Sequence, residues 1–203
     1  MSVPPIDRIV LASGNAGKIR EIARIFADLH IEIVAQSALG IKSPEETGDT
    51  FAANALLKAQ HAAASSGLPA MADDSGIVVD ALDGRPGVRS ARYAGEDASD
   101  DDNLDRLLEE MQDVGDDQRG AAFHCAAVLV FPDDAPEPLV AEGIWRGTLL
   151  RERRGSGGFG YDPVFLDEAS GKTGAEMSRE EKNAISHRGK AFRQLRDLLH
   201  QAQ

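Results

Sequence analysis

The chain of 203 residues is long enough for one large domain or two small lobes, and its hydrophobic share of 42% can build a core. The formal net charge of −12 argues against DNA or RNA as a partner, because phosphate backbones repel acidic proteins. Cys125 is the single cysteine, which excludes an internal disulfide and a cysteine zinc site. It lies in an apolar run, so we expect a buried, inert thiol.

No apolar run approaches the roughly 20 residues that a membrane span needs. The first residues lack a basic segment followed by a long apolar one, so there is no secretory signal pattern. We therefore expect a cytoplasmic protein without a membrane partner.

Strand and helix patterns alternate through the first half of the chain. A β-prone run at 8–13 leads through a glycine turn to an amphipathic helix at 18–29, and a second strand follows at 31–37. Thr50 is a capping residue, and the helix that it opens is expected to stop at Gly67. Strand segments then lie on both sides of an aspartate pair. Strand, glycine turn and helix are the opening elements of a nucleotide-binding α/β unit.

The second half predicts antiparallel strands. Glycine and proline content makes 83–95 a loop, and Ser99 begins the next helix with an acidic capping partner three residues on. The two longest strand candidates, 121–131 and 139–150, are joined by a proline-rich connection, which predicts a hairpin.

A glycine-rich stretch at 155–165 precedes the last helical pattern, 178–200. That pattern opens with a capping box of Ser178 and Glu181, and Ser186 could cap a second helix after a break. We expect a mixed sheet flanked by helices, extended into two lobes by the hairpin.

The segment SGNAGK, residues 13–18, is a glycine-rich turn that enters a helix. Such a turn points backbone N–H groups at a phosphate, and Lys18 would add a positive charge. It is not a Walker P-loop, since Ala12 stands where that motif needs glycine and Ile19 where it needs serine or threonine. A strand-to-helix turn with a surface lysine explains the same residues equally well.

Asp73 and Asp74 stand side by side, followed by Ser75, where the preceding strand is expected to end. Mg²⁺ usually takes one or two carboxylate oxygens from a protein. Glu45 and Glu46 lie on another loop and could complete such a site, and one aspartate could remove a proton from an attacking water. For this pair alone, a turn with solvated carboxylates is the commoner explanation.

Two later segments carry groups suited to a purine base. In GGFGYD, residues 157–162, glycines let the backbone approach a flat ligand and an aromatic ring can stack on it. Arginine and histidine, which can donate to a purine keto oxygen, occur in a later basic cluster that contains Lys182, His187, Arg188 and Lys190. A core phenylalanine and a charged helix face are the commoner explanations of each alone, but the four motifs occur in order along one short chain.

The chain resembles the inosine/xanthosine triphosphate pyrophosphatases of the RdgB/Ham1 type. The resemblance covers nearly the whole chain and is carried by five segments, which read SGNAGKIREI, EETGDTFAANALLKA, ADDSGIVVDALDGRPGVRSARYAGEDA, GSGGFGYDPVF and REEKNAISHRGKAF. It implies an α/β fold, with a long mixed sheet flanked by helices and two lobes around a central cleft. Residues 1–203 would form a single nucleoside-triphosphate pyrophosphatase domain, typically in a homodimer.

The resemblance also implies an activity, which is the Mg²⁺-dependent hydrolysis of dITP, ITP and XTP to the monophosphate and pyrophosphate. Asp74 would be the general base and a metal ligand, Glu45 would be the second metal ligand, and the metal would offset the repulsion between Asp73 and Asp74. Asn54 matches a family position near the phosphates. The residues implied in substrate binding are Ser13, Gly14, Asn15, Ala16, Gly17, Lys18, Lys58, Ser75, Phe159, Gly160, Tyr161, Asp162, Lys182, His187 and Arg188.

Base selection has a chemical explanation. Hypoxanthine and xanthine carry a keto oxygen at C6 and a hydrogen on N1, which fit a donor from His187 or Arg188 and an acceptor such as Asp162. Adenine would leave these groups unpaired. Two alternatives stay open, a pyrophosphatase with another base preference and a nucleotide-binding regulatory module without turnover. The role of the arginine-containing segment 85–95 is also open.

Overall fold

The computed structural model describes residues 6–132 and 136–203. Within these ranges lie seven strands and five α-helices. The strands are β1 (Arg8–Leu11), β2 (Glu32–Ala35), β3 (Ala70–Val79), β4 (Gly120–Val130), β5 (Leu139–Leu149), β6 (Phe165–Asp167) and β7 (Lys172–Thr173). The helices are α1 (Ala16–Ile25), α2 (Phe51–Ser66), α3 (Asp100–Glu110), α4 (Arg179–Ile185) and α5 (His187–Ala202). None of the described helices is both long and apolar enough to cross a bilayer.

The strands form one sheet in the order β2-β1-β3-β4-β5-β6-β7. β1 pairs in parallel with both β2 and β3, whereas β6 pairs antiparallel with both β5 and β7. The predicted mixed sheet flanked by helices is therefore confirmed. β4 and β5 are neighbours, as a hairpin requires, and part of their connection (133–135) lies outside the described residues.

The chain divides into two compact units, each made of separate segments. Unit 1 takes the described parts of 1–74, 125–143 and 188–203, and unit 2 takes 75–124 and 144–187. The prediction of a single domain with a central cleft stays a prediction.

Unit 1 has an apolar cluster on each face of β1. Ile9 joins one cluster with Phe26 of α1 and Phe192 of α5. Val10 points to the other face, where the cluster consists largely of alanines, including Ala59 of α2. Burial on both faces is typical of a parallel strand. The start of α1 is thereby held beside the end of β1.

Unit 2 has one aromatic-rich core. Phe123 of β4, Trp145 of β5 and Phe165 of β6 contact one another, with ring centroids 4.7 to 6.1 Å apart. Leu104 and Leu107 of α3 belong to the same cluster. This core supports the glycine-rich segment that precedes β6.

The predicted helix ends are largely confirmed. Thr50 caps α2, and Gly67 ends it with a φ of 67°, a left-handed conformation that favours glycine. Ser99 and Asp102 form the capping box of α3, and the box predicted for α4 is present as well. The predicted break occurs at Ser186, which is extended between α4 and α5.

Some predicted boundaries are wrong. β3 does not end at the aspartate pair but continues to Val79, so the strand segments predicted on both sides of the pair belong to one strand. The first helix begins two residues earlier than predicted, at Ala16, and ends at Ile25, before a separate 3₁₀ turn. The predicted loop at 83–95 contains a 3₁₀ segment, Gly87–Arg92. β6 and β7, of three and two residues, are too short to show a periodic pattern.

Candidate active site

Asp73 lies within β3 and is almost completely buried, with 3% exposure. Its Oδ1 lies 2.5 Å from Nζ of Lys18 in the first turn of α1, and its Oδ2 lies 3.2 Å from Nε of Arg188 in the first turn of α5. Burying a carboxylate is costly unless positive charge lies opposite. These two cations of unit 1 therefore offset the charge of Asp73, where the sequence suggested a metal.

The three groups shift one another's pKa values. Burial alone would raise the pKa of Asp73, but the charges of Lys18 and Arg188 outweigh burial and hold it well below its usual range. Burial lowers the pKa of Lys18, and the attraction of Asp73 offsets only part of that effect. Asp73 is therefore a fixed anion, unsuited to accept a proton at neutral pH.

Asp74 has a different environment in the same unit. Its Oδ1 accepts a hydrogen bond from Lys58 Nζ at 2.9 Å, and its Oδ2 accepts one from Asn54 Nδ2 at 3.2 Å. Burial raises the pKa of Asp74, and the charge of Lys58 opposes this rise. A carboxylate with a raised pKa is a better proton acceptor than Asp73, as a general base requires.

Asn54 connects the loop that carries Glu45 and Glu46 to the carboxylate of Asp74. Its side chain is fully buried at one turn's distance from Lys58, and its Oδ1 accepts a hydrogen bond of 2.7 Å from Gly48 N. Lys58 Nζ also lies 2.6 Å from Oε1 of Glu46. The structure thus brings Glu46 to Asp74, through one shared ammonium, while Glu45 is exposed on the same loop.

The oxygen donors at this point suit a hard divalent cation. Among residues 6–132 and 136–203 there is no group of three or more metal-ligating side chains. Asp74 and Glu46 nevertheless place two carboxylates around one positive charge, and Mg²⁺ commonly takes only one or two protein carboxylates. The residues present therefore fit Mg²⁺, and the ligand role of Glu45 stays a prediction.

The predicted phosphate loop also lies in unit 1, and the amides of Asn15, Gly17 and Lys18 in it already have partners. Asn15 caps α1, and its Oδ1 accepts hydrogen bonds from the N–H groups of Gly17 at 2.9 Å and Lys18 at 3.1 Å. Ser13 Oγ accepts one from Asn15 N at 3.2 Å, and Gly14 is exposed. A phosphate would reach the amides of residues 17 and 18 only in place of the Asn15 side chain.

The two aromatic residues in the glycine-rich segment of unit 2 differ in their solvent exposure. Phe159 is 55% exposed, and Lys182 Nζ lies 4.6 Å from the centroid of its ring. Tyr161 is 5% exposed and its ring belongs to the core. Asp162 is buried and accepts hydrogen bonds from Phe159 N and Lys182 Nζ. Phe159 therefore has the more exposed ring of the two, as stacking on a base would require.

The imidazole of His187 in unit 2 is stacked on a core ring. Its centroid lies 4.8 Å from that of Phe123, with 11° between the planes, and the residue is 5% exposed. The packing fixes the plane of the imidazole. Ser75 is half-buried in β3, while Lys190 of the basic cluster is exposed on α5.

A sequence model of the Ham1 family matches residues 9–198. The chain belongs to the Ham1 family. A protein named dITP/XTP pyrophosphatase from Shigella flexneri is 57% identical to this Ham1 chain, over 96% of this chain and 98% of the relative. One of the same name from Escherichia coli K12 is 56% identical over the same shares of the two chains.

Solved structures agree with this family assignment. The structure of a HAM1 protein from Coxiella burnetii matches with a TM-score of 0.90 and 45% identity, over 96% of this chain and 98% of that chain. The structure of a protein described as nucleoside-triphosphatase and dITP/XTP pyrophosphatase from Mycobacterium abscessus matches with a TM-score of 0.74 and 42% identity, over 93% and 98%. The Ham1 chain therefore has the α/β fold of these proteins.

Several residues around the candidate site of the Ham1 chain have no local sequence signal. Phe123, which stacks on His187, reads as an ordinary strand residue. Asp100 is part of an acidic run, yet its Oδ2 accepts a hydrogen bond of 2.8 Å from Gly160 N. Ser90 lies in the segment 85–95 and contacts Tyr161. A local sequence signal for such a residue exists only where its type is unusual for a buried position, as Asn54 is among the alanines of α2.

Proposed function

We propose that this Ham1 protein hydrolyses non-standard purine nucleoside triphosphates, namely dITP, ITP and XTP, to the nucleoside monophosphate and pyrophosphate. The relatives named dITP/XTP pyrophosphatase support this, since they match 96% of the chain at 56 to 57% identity. The observation that carries the chemistry is the Asp74 carboxylate, held by Lys58 on one oxygen and by Asn54 on the other.

In the proposed reaction, Asp74 accepts a proton from water, and the water oxygen forms a bond to the α-phosphorus. The bond from that phosphorus to the bridging oxygen of the pyrophosphate breaks, and pyrophosphate leaves with the electron pair. Lys58 keeps the carboxylate oriented, and its charge is close to where the negative charge of the reacting phosphates would lie.

Asp74, with Glu46 or the predicted Glu45 on the neighbouring loop, would hold Mg²⁺ in this proposal. When bound, Mg²⁺ would neutralise part of the negative charge of the polyphosphate. The residues of the chain remain responsible for orienting the water and accepting its proton.

The substrate-binding roles inferred from the family resemblance form part of the same proposal. The segment Ser13–Lys18 and Lys58 are assigned to the phosphates, and Arg188 is, like His187, a candidate donor to the keto oxygen of the base. Ser13–Lys18, Lys58 and Arg188 lie in unit 1. In unit 2, Phe159 is assigned to stacking on the base, and Asp162, Lys182 and His187 to its polar edge. Because Asp162 already accepts from Lys182, the two would act on the base as a pair.

The proposal is tested by incubating the purified protein with Mg²⁺ and dITP, XTP, ITP, GTP, ATP or dUTP in separate reactions. Pyrophosphate and the nucleoside monophosphate are both quantified. The expected result is equal release of the two products from dITP, ITP and XTP, with far lower rates for ATP. Orthophosphate release, preference for dUTP or absence of turnover would each reject the proposal in favour of a phosphatase, a pyrimidine enzyme or a binding module.

Two further parts of the proposal concern the cell and the assembly. We expect the protein in the cytoplasm, where the nucleotide pool lies, and we expect a homodimer, as the family resemblance implies. Light scattering on the protein as it elutes from a size-exclusion column would measure its mass in solution, which is compared with the monomer mass of 21.7 kDa.

A further inference from the structure

The glycine-rich segment of unit 2 is tethered at several points, and one tether reaches its core. Gly157 N donates to Ala175 O at 3.0 Å, and Gly160 N donates to Asp100 Oδ2 at 2.8 Å. The tether to the core is the phenol of Tyr161, which donates a hydrogen bond of 2.8 Å to the carbonyl oxygen of Ser90.

Ser90, the acceptor of this bond, is itself fixed. It is 6% exposed, and its Oγ accepts a hydrogen bond of 2.9 Å from Ile77 N in β3 and donates one of 2.6 Å to Gly87 O. A continuous chain of hydrogen bonds therefore runs from β3 through Ser90 to Tyr161. The segment 85–95, which the sequence left without a role, supplies the middle of that chain.

Phe159 is flanked by two glycines, and its contacts include a backbone hydrogen bond to Asp162 and the ammonium group of Lys182 over its ring. The ring is exposed, and it lies between Gly158 and Gly160, whose φ angles are 74° and 57°. Glycines in this left-handed region place no restriction of their own on the backbone, so the segment relies on tethers for its conformation. Tyr161, two residues after Phe159, anchors the segment to the apolar core of unit 2.

We propose that Tyr161 is a positioning residue for base recognition, which holds the ring of Phe159 in place by tying the glycine-rich segment to Ser90. This inference rests on the proposed function, in which Phe159 stacks on the base. A preformed segment loses less conformational freedom on binding, so its effect falls on affinity for the nucleotide. The carboxylate of Asp74 accepts its hydrogen bonds from Lys58 and Asn54 in unit 1, whereas Tyr161 belongs to unit 2.

The test compares Tyr161→Phe with a matched control, Tyr93→Phe. Phenylalanine keeps the ring and removes only the hydroxyl in both variants. Tyr93 belongs to the same core, but its hydroxyl donates to Glu110 at 2.7 Å rather than to the segment that carries Phe159. The two readouts are amide hydrogen exchange over 155–164 in the ligand-free protein and the steady-state constants for dITP.

For Tyr161→Phe we expect exchange over 155–164 to be about fivefold faster, which corresponds to about 1 kcal/mol and one neutral hydrogen bond. We expect KM for dITP to rise by about fivefold as well, with kcat within about twofold of the unchanged protein. For Tyr93→Phe we expect neither exchange in this segment nor KM to change.

The proposal is overturned if exchange over 155–164 is unchanged in Tyr161→Phe, if the control accelerates it equally, or if kcat falls while KM does not rise. If Tyr161→Phe does not fold, Asp100→Ala replaces it, because this exposed residue supplies the tether to Gly160 and its loss must also speed exchange and raise KM. Absence of dITP turnover in the unchanged protein would reject the proposed function instead, and the exchange measurement would still decide whether the tether exists.

Discussion

Replacing Asp73 with asparagine removes the negative charge that Lys18 and Arg188 share and keeps the size of the side chain. The side chains of Asp73, Lys18 and Arg188 are 1%, 19% and 11% exposed, so the two cations would stay largely buried and lose the counter-charge that they share. Removing one partner of a buried ion pair usually costs about 3–5 kcal/mol. We expect the free energy of unfolding at pH 7 to fall by that amount.

Lys18 and Arg188 would respond differently to the loss of the Asp73 charge. Burial already lowers the pKa of Lys18, so this group can release its proton once Asp73 is gone. Arg188 keeps its proton under all ordinary conditions. Adding Arg188→Met to Asp73→Asn should therefore restore part of the lost stability, whereas Arg188→Met alone should destabilise the protein by leaving Asp73 less well paired.

Urea unfolding followed by far-UV circular dichroism gives the free energy for each variant. Asp80→Asn is the matched control, since Asp80 directly follows β3 and is exposed, and its change should stay within about 0.5 kcal/mol. A loss below about 1 kcal/mol for Asp73→Asn would refute the reasoning. So would additive losses in the double variant, because they would show that Asp73 and Arg188 do not interact.

Three other changes test separate parts of the structure. Asp74→Asn should lower kcat for dITP by about 100-fold or more, measured by pyrophosphate release. Burial and the hydrogen bond to Glu110 raise the pKa of Tyr93 to about 12 from 10.0, so its neutral form stabilises the fold below pH 10 and this contribution is lost as the pH rises towards 12. Tyr93→Phe should therefore lose less stability than the unchanged protein between pH 10 and 12 in urea titrations. Gly147→Ala should lower the free energy of unfolding by about 1–3 kcal/mol, because the added Cβ would lie 2.3 Å from Leu166 O.

Each of these three predictions has an outcome that would contradict it. Near-normal turnover by Asp74→Asn would remove it from the role of general base. Equal alkaline losses with and without the Tyr93 hydroxyl would mean that other groups set the alkaline limit. If Gly147→Ala is as stable as Gly14→Ala, where the added Cβ meets nothing within 4 Å, the close approach to β6 is wrong.

The regular elements could be predicted because their signals are local. Helix caps such as Thr50 and Ser99 lie within three residues of the groups that they satisfy, and apolar periodicity marks the buried face. The burial of Asp73 within β3 could not be predicted, because its partner Arg188 lies 115 residues away in the sequence. Such long-range pairs leave no pattern in one sequence.

In the candidate site, too, some features could be predicted from the sequence and others could not. The motifs identified the segments and most of the candidate residues, including Asp74 and Lys58, which are in contact. They could not separate the exposed Phe159 from the buried Tyr161, since both are aromatic residues within one glycine-rich stretch. The contact of Glu46 with Lys58 depends on the path of one loop, which a hydrogen bond from Gly48 N to Asn54 joins to α2.

The interleaved segments of the two units set the order in which a nascent chain can fold on the ribosome. All of unit 2 has been synthesised once residue 187 has been added. Unit 1 must wait for α5, because Phe192 and Leu195 complete the core around Ile9. A chain cut at any single position within 75–187 would therefore yield two fragments, neither of which contains the whole of unit 1, and activity would require both fragments to reassociate.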